Sequence, residues 1–507
     1  MKSPFVLIIF GATGDLACNK LFPSLFSLFK QGLLPEGFSI IGFSRRNYSD
    51  NDFRIFFTDL AEDEKWEDFA KHIFYQQGDF NEEKAYLELI KKLNSLDEKI
   101  GACITRFFYL ATPPQNYESI LGYLQSTKLS QGCAPAVEYF ESKTNQDLET
   151  LPEHQKWTRI IIEKPFGKDL ETSIALDEKL SSIFEERQIF RVDHYLGKET
   201  IQNMIAFRFA NGIFEPVWNK NFIDHVQITF AEEKGIGKRG RFFDGVGMLR
   251  DVGQNHIMQM IAAVAMEQPK SFTKDDMRDV RANAIKAIRC AEPDQVNQYV
   301  VRGQYDGFLD EQDVDPDSQT ETFVAMKLFV DTERFKNVPF YVRAGKKMPK
   351  NTVEISVVFI QTCHILFKEY GCPEIGNVLK IRIQPDEGIS LRVIAKVPGS
   401  KVSLGTVNMN FNYEDEFHTK GTDAYEKVLL DIFVGDQMLF NRSDELGASW
   451  TFITKILKGW SRQTRLDGSR QTRLGEKKKS KLAFYSSGTW GPKEAMELIE
   501  KDNRKWL

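Results

Sequence analysis

The segment from Arg191 to Lys198 holds the densest group of reactive side chains in the sequence. It reads RVDHYLGK, and it overlaps the end of the apolar run Gln188–Val192. His194 and Tyr195 supply directed hydrogen-bond donors and Lys198 supplies a positive charge, so together they can bind a phosphate group. A polar surface segment can have the same composition, but α/β enzymes collect ligands just after the ends of strands. We therefore interpret this segment as a phosphate-binding site.

A second polar group interrupts an apolar helix pattern at residues 247–259, which read GMLRDVGQNHIMQ. His256 lies within it. A buried histidine is often structural, but one that a carboxylate orients can act as a general base near neutral pH. Asp193 and Asp251 lie in these two polar groups. Their presence favours a catalytic role for His256, such as the removal of a hydroxyl proton during the oxidation of a sugar.

A glycine-rich loop follows the first apolar run, Phe5–Phe10, and leads into a helix pattern. Its sequence is GATGDLA. Glycines let the backbone approach a pyrophosphate, and the helix start supplies N–H groups and a positive dipole. The alternative is a plain glycine turn, but the position in a strand–turn–helix unit favours a dinucleotide site. The predicted contacts are Gly11, Thr13, Gly14, Asp15 and Leu16.

The end of the next predicted strand indicates which dinucleotide binds. The segment Gly42–Arg46 reads GFSRR and contains no carboxylate for a ribose 2′-hydroxyl. Arginine pairs with phosphate in fork geometry, so Arg45 suits the 2′-phosphate of NADP. The alternative is that these are two ordinary surface arginines.

Hydride transfer belongs to the cofactor, so the protein must supply the base, the sugar site and the phosphate site.

Alternating strand and helix patterns occupy the first 195 residues. Near-continuous apolar strands between helices predict a Rossmann-type, doubly wound parallel sheet. Helix patterns cover Lys20–Lys30 and Glu82–Leu96. The predicted strands are Phe5–Phe10, Ser39–Phe43, Phe107–Ala111, Arg159–Glu163 and Gln188–Val192.

The pattern changes after residue 195, where strands alternate in polarity or lie closer together. This predicts a larger α+β domain with a mostly antiparallel sheet. We expect a cofactor-binding domain at residues 1–195 and a substrate-binding and oligomerisation domain at 196–507. The strands expected in the second domain are Asp224–Phe230, Thr322–Val330, Glu354–Phe359, Val378–Gln384 and Leu391–Lys396.

Composition excludes several classes of protein. The formal net charge is −5, so there is no basic footprint for nucleic acid, and no apolar run is long enough for a membrane span. The six scattered cysteines form no CxxC pair, which predicts reduced thiols in a cytoplasmic protein. Cys363, His364 and Cys372 lie close in sequence, but no second ligand pair follows, so no metal site is expected. The SRQTRL repeat at 461–466 and 469–474, with Lys477–Lys479 and Lys481 after it, predicts a solvated loop.

Four motifs together resemble the glucose-6-phosphate dehydrogenase family. They are GATGDLA, EKPFG at Glu163–Gly167, RVDHYLGKE at Arg191–Glu199 and RDVGQNH at Arg250–His256. DHYLGKE is the most specific of them, and the resemblance covers nearly the whole chain. It implies oxidation of glucose 6-phosphate with NADP, and a homodimer or homotetramer.

The resemblance also implies roles for individual residues. His256 would be the base with Asp193 as its carboxylate partner, and Arg45 would bind the 2′-phosphate. The phosphate ligands would be His194, Tyr195 and Lys198, and the sugar-hydroxyl ligands Glu232, Asp251 and Lys346, with Lys350 as a second basic residue. Lys164 and Lys20 would lie where nicotinamide and sugar meet. Further cofactor contacts would be Tyr117, Asp79 and Phe80.

Some residues depart from the family pattern. Cys18 and Asn19 stand where basic residues often follow GDLA, and Arg241 replaces a small residue. One alternative function is another NADP-dependent sugar oxidoreductase, which would lack the DHYLGKE phosphate site. A second is a catalytically silent NADPH-binding sensor, which would have lost His256 or Asp193.

Overall fold

The computed structural model describes all residues except 1–2, 58, 102–103, 133–157, 290, 419–422 and 463–481. The chain divides into two compact units. Unit 1 comprises Met1–Gly167, Glu171–Gly197 and Thr422–Ser443, and unit 2 comprises Lys168–Leu170, Lys198–Gly421 and Asp444–Leu507. Most of the SRQTRL repeat and the lysines after it lie outside the described residues.

The strands fall into two sheets, numbered here in chain order. Those of unit 1 are β1 Phe5–Phe10, β2 Phe38–Ser44, β3 Ile73–Gln77, β4 Thr105–Leu110, β5 Arg159–Glu163, β6 Ile189–Val192 and β16 Phe440–Asn441. Those of unit 2 are β7 Ile223–Ala231, β8 Ile288–Arg289, β9 Val300–Tyr305, β10 Phe323–Val330, β11 Pro339–Gly345, β12 Thr352–Phe359, β13 Val378–Gln384, β14 Gly388–Lys396, β15 Leu404–Asn412 and β17 Ala483–Tyr485.

The helices alternate with the strands in unit 1 and are less regularly placed in unit 2. The α-helices are Phe22–Lys30, Asp50–Ile55, Trp66–Ala70, Glu83–Ile100, Tyr117–Ser126, Leu170–Ser181, Glu199–Ala210, Gly240–Phe243, Met258–Ala265, Lys274–Lys286, Val296–Tyr299, Cys363–Phe367, Tyr413–Phe417, Ala424–Val434, Ser443–Arg462 and Lys493–Glu500. Two π-helical segments, Ala17–Leu21 and Leu249–Ile257, each precede an α-helix.

The sheet of unit 1 has the order β16-β6-β5-β4-β1-β2-β3, and its first six strands in the chain run parallel. All residues of β1 and β5 are buried, as expected of a sheet covered on both faces. The added strand β16 is antiparallel to β6. The carboxyl ends of the parallel strands therefore share one edge, where the predicted cofactor motifs lie.

The sheet of unit 2 has the order β15-β14-β13-β12-β7-β11-β10-β9-β17. Most neighbours are antiparallel, but β7 and β11 are parallel, as are β9 and β17. The predicted α/β and α+β fold classes are confirmed. In the part of the chain that the structure describes, no helix combines the length and apolar character needed to cross a bilayer.

The cysteine prediction is wrong for one pair, because Cys363 and Cys372 form a disulfide. A short helix from Cys363 is followed by a turn with Gly371 at φ +84°, and this path brings the two Cα atoms to 5.9 Å. That separation suits a bridge. Sequence spacing alone did not indicate it, since the reversal of direction depends on the fold. Cys18 is a free, half-buried thiol.

Candidate active site

The GATGDLA loop forms a tight turn at the carboxyl end of β1. The N–H of Gly11 donates to the Phe43 carbonyl at 2.8 Å, and the N–H of Gly14 donates to the Gly11 carbonyl at 2.9 Å. Gly11 has φ +88°, and a Cβ there would lie 2.4 Å from the Ala111 oxygen. Only glycine fits this position, so the loop closely follows the ends of β1 and its neighbours.

The predicted 2′-phosphate ligand, Arg45, lies at the end of β2 and is exposed. The main chain around it is fixed, because the Tyr75 hydroxyl donates to the carbonyls of Ser44 at 3.1 Å and Arg46 at 2.6 Å. The side-chain oxygens of Thr13 and Ser44 lie 2.9 Å apart, which joins this strand end to the glycine loop. Two of the predicted cofactor segments are therefore neighbours within unit 1.

Three further predicted cofactor contacts have partners within unit 1. Phe80 is buried, with its ring stacked 5.8 Å from that of Phe43. Asp79 accepts a hydrogen bond from the Asn81 N–H at 2.9 Å. The buried Tyr117 hydroxyl donates to the Glu163 carbonyl at 3.0 Å. These contacts show that all three residues help to shape the strand-end edge.

Glu163, which begins the EKPFG motif, is buried at the end of β5. Its carboxylate accepts hydrogen bonds from the Tyr109 hydroxyl at 2.6 Å and the Tyr425 hydroxyl at 3.4 Å. Burial raises the pKa of this carboxyl to about 7. The next peptide bond, between Lys164 and Pro165, is cis. Sequence reasoning did not identify the Glu163 network, because Tyr425 comes from a segment 262 residues away.

The RVDHYLGK segment follows β6. Asp193 is buried, and its carboxylate accepts the N–H of Tyr195 at 3.0 Å. The half-buried His194 ring lies 6.1 Å from the Tyr425 ring in a stacked arrangement. Tyr195 is buried. Unit 1 thus brings together three predicted residues of this segment, whereas Lys198 is the residue before the helix Glu199–Ala210 in unit 2.

Lys20 belongs to the π-helical turn after the glycine loop and is exposed. Its ammonium lies 3.9 Å from the Asp423 carboxylate, and both side chains are about half exposed. Such an exposed ion pair contributes little to stability. Lys20 can therefore exchange this partner for a ligand at small energetic cost.

In unit 2, the π-helix Leu249–Ile257 carries Asp251 in its first turn and His256 in its last. His256 is buried, and its ring is nearly parallel to that of Phe230 on β7, at 6.1 Å. The Asp251 carboxylate lies 4.0 Å from the Arg239 guanidinium. The structure therefore places a buried imidazole and a largely buried carboxylate on one segment.

The amides around His256 have packing partners. Gln254 donates to the Ser449 hydroxyl at 3.2 Å, and Gln259 donates to the Glu445 carboxylate at 3.4 Å. Glu445 also accepts two bonds from Arg281, at 2.9 and 3.0 Å. These contacts anchor the helix, so the amides serve to hold His256 in place.

Glu232 and Lys346 form an ion pair in unit 2. They directly follow β7 and β11, whose parallel register sets Ala231 opposite Gly345. Lys346 is buried, and its ammonium lies 5.2 Å from the centre of the Phe243 ring. The register of two strands thus brings together two of the predicted sugar ligands.

Lys350 occupies a different setting. It is exposed, and its ammonium lies 5.9 Å from the centre of the Trp490 ring. It lines a cavity of about 420 Å³ with Arg343 and Trp506, and neither Glu232 nor Lys346 lines that cavity. The structure therefore does not group Lys350 with Glu232 and Lys346.

Comparison with known proteins identifies both parts of the chain. Residues 8–203 match the model described as glucose-6-phosphate dehydrogenase, NAD binding domain. Residues 205–507 match the model described as glucose-6-phosphate dehydrogenase, C-terminal domain.

Curated relatives match over the full length. The glucose-6-phosphate 1-dehydrogenase of Chlamydia muridarum is 38% identical over 525 residues, covering 99% of this chain and 96% of the relative. That of Borreliella burgdorferi is 37% identical, covering 99% and 98%. A solved glucose-6-phosphate dehydrogenase in complex with its substrate glucose-6-phosphate is similar with a TM-score of 0.84 and 32% identity, covering 100% of this chain and 99% of that chain.

Proposed function

The chain belongs to the glucose-6-phosphate dehydrogenase family, and we propose that it oxidises D-glucose 6-phosphate to 6-phospho-D-glucono-1,5-lactone with NADP. The observation that carries this proposal is the match of both family domains, in order, over residues 8–203 and 205–507. The four sequence motifs lie within that span. This reaction opens the oxidative pentose phosphate pathway.

We propose that NADP binds to the strand-end edge of unit 1, where it supplies the hydride acceptor. The residues fit this group, because Gly11 leaves no side chain at the turn and Arg45 offers an exposed guanidinium at the end of β2. The proposed contacts are Gly11, Thr13, Gly14, Asp15, Leu16, Arg45, Asp79, Phe80, Tyr117 and Lys164.

In the proposed mechanism, His256 takes the proton from the hydroxyl on carbon 1 as hydride leaves that carbon. A neutral imidazole suits this role near neutral pH. We propose that Asp193 stabilises the imidazolium that forms. His194, Tyr195 and Lys198 hold the phosphate, and Glu232, Asp251 and Lys346 orient the sugar hydroxyls. Lys164 and Lys20 complete the sugar and nicotinamide side of the site, and Lys350 is a more peripheral ligand.

We further propose that residues 1–195 form the cofactor-binding domain and residues 196–507 the substrate-binding and oligomerisation domain. The long sheet of unit 2 supports the second part, because its edge strand β15 leaves Val407 and Met409 exposed. Apolar side chains on such a surface favour association into a homodimer or homotetramer. We propose a cytoplasmic location, which the modest net charge and the free thiol of Cys18 fit, although the Cys363–Cys372 disulfide is unusual for that compartment.

A spectrophotometric assay tests the activity. The purified chain with glucose 6-phosphate and NADP should produce absorbance at 340 nm, and it should produce less with NAD at the same concentration. Glucose should be a much poorer substrate than glucose 6-phosphate. No absorbance change with either cofactor would contradict the proposed reaction.

A further inference from the structure

The segment that carries the proposed base is an uncommon type of helix. Residues Leu249–Ile257 form a π-helix, with Asp251 near its start and His256 near its end. π-helical turns are rare and frequently occur at functional sites. The location of both side chains depends on where this segment begins.

Glu321, which lies just before β10, holds the start of the π-helix. The first N–H groups of a helix have no partner inside it, and no side chain of the N-cap Met248 compensates. The N–H of Met248 donates to the Glu321 carbonyl at 2.9 Å, and the N–H of Leu249 donates to its carboxylate at 3.1 Å. A negative charge at this end also interacts favourably with the helix dipole.

Gly247 provides independent evidence that this contact is built into the fold. It has φ +76°, and a Cβ at this position would lie 2.3 Å from a Glu321 carboxylate oxygen. Only glycine leaves room for the carboxylate here. Gly247 therefore leaves space for the Glu321 carboxylate, which accepts the N–H of Leu249.

The neighbouring residue, Thr322, holds a second part of the proposed site. Its carbonyl accepts the N–H of Lys346 at 3.0 Å. The Tyr485 hydroxyl donates to the Lys346 carbonyl at 2.7 Å and lies 3.1 Å from the Thr322 hydroxyl. Two consecutive residues thus fix the start of the π-helix and the main chain of Lys346.

The Glu321 side chain is buried, with 4% of its surface exposed, and burial raises its pKa above the usual value. The positive charges of Arg250 and Arg302 act in the opposite direction. Burial of a carboxylate costs free energy unless hydrogen bonds compensate, and here the N–H of Leu249 supplies one.

We propose that Glu321 is a positioning residue for the oxidation, because it sets where the π-helix begins and so where His256 lies relative to Lys346. This inference rests on the proposed function, in which His256 is the base and Lys346 binds the sugar. Glu321 itself acts through the helix and need not touch the substrate.

Three variants test the proposal. Glu321→Ala should lower kcat about tenfold, while the Kd for NADP stays within about twofold, because the cofactor residues lie in unit 1. Glu321→Gln should recover kcat to within about threefold of wild type, since its amide oxygen can still accept the Leu249 N–H. Glu354→Ala is the matched control. It also removes a buried carboxylate of unit 2, one that pairs with Lys380 at 2.9 Å.

The control should lower Tm but keep kcat within about twofold of wild type. Equal losses of kcat in Glu321→Ala and Glu354→Ala, or no recovery in Glu321→Gln, would overturn the inference. If Glu321→Ala does not fold, Gly247→Ala tests the same contact by displacing the carboxylate, and unchanged turnover there would also overturn it. Normal turnover in His256→Asn would instead refute the proposed base. If His256→Asn loses most of its kcat while Glu321→Ala keeps kcat within about twofold of wild type, as expected of Glu354→Ala, only the positioning role of Glu321 would be refuted.

Discussion

The strand ends of the two units assemble their polar residues in different ways. In unit 1, Lys164 and Asp193 come directly after strands within the short motifs EKPFG and RVDHYLGK. In unit 2, Glu232 and Lys346 are separated by 114 residues and meet because β7 and β11 run in parallel register. A local motif therefore indicates the first arrangement, whereas only strand pairing produces the second.

The strand-end carboxylates of the two regions also differ, since Glu163 is buried and the Glu232 side chain is 36% exposed. Glu163 is held by tyrosine hydroxyls, and burial raises its pKa to about 7. Glu232 instead pairs with the ammonium of Lys346. A glutamate at a strand end can thus be protonated near neutral pH in unit 1, whereas in unit 2 it forms an ion pair with a lysine.

The largest expected effect tests whether the two regions contribute to one reaction. His256→Asn should lower kcat about 10²–10⁴-fold, because a general base is lost while glucose 6-phosphate still binds. Asp193→Asn should also lower kcat, and the losses should not add in the double variant if the residues act as one unit. Turnover and directly measured substrate affinity check this. Turnover within a few-fold of wild type in His256→Asn would make it a structural histidine.

The second effect concerns the phosphate. Lys198→Ala should reduce the preference for glucose 6-phosphate over glucose by roughly 10²-fold, since a charge-assisted contact contributes about 1.5–3 kcal/mol. The ratio of kcat/KM for the two substrates measures it. Lys493→Ala is the control, because that side chain is 87% exposed and pairs with Glu497 on its own helix. An unchanged ratio in Lys198→Ala would indicate that the phosphate of the substrate binds to other residues.

The third effect sharpens the assignment of the cofactor to unit 1. Arg45→Ala should raise KM for NADP about ten- to a hundredfold and leave KM for NAD nearly unchanged, because only NADP carries the 2′-phosphate. Arg187→Ala, with a side chain 47% exposed in the same unit, should change neither value. Equal losses with both cofactors would indicate damage to the fold instead of a lost phosphate contact.

The smallest effect concerns the Glu163 carboxyl. Its folded pKa of about 7 lies above the ordinary glutamate value of 4.5, so its contribution to stability is full below about pH 4.5 and is lost as the pH rises through 7. Glu163→Gln has no such titration. The stability of the variant relative to wild type should therefore increase between about pH 5 and pH 8, by about 2–3 kcal/mol at most.

Thermal unfolding of both proteins at several pH values measures this difference. Glu185→Gln is the control, because the Glu185 side chain is 64% exposed and its substitution should show no such trend. A constant Tm difference between wild type and Glu163→Gln would mean that Glu163 does not titrate in this range.

Sequence alone predicted the strand–turn–helix unit of the glycine loop, because the turn at Gly11 requires a residue without a side chain. It also predicted most strands of unit 1 to within a residue or two, since buried parallel strands are continuously apolar. The matches of β1 and β5 are complete. In unit 2 the predicted strands omitted β8, β9, β11, β15 and β17. The sequences of β9 and β15 mix polar and apolar residues, and β8 and β17 have only two and three residues.

The tertiary structure decided which distant residues meet. Residues 424–441 return to unit 1, where Tyr425 reaches Glu163 and β16 pairs with β6. Glu321 reaches the N–H of Leu249 across 72 residues of sequence. Neither contact leaves a local pattern, because hydrogen bonds between remote segments depend on strand order and helix placement. Residue types and short motifs therefore determined the chemistry available to this chain, and the pairing of strands decided where its charges are balanced.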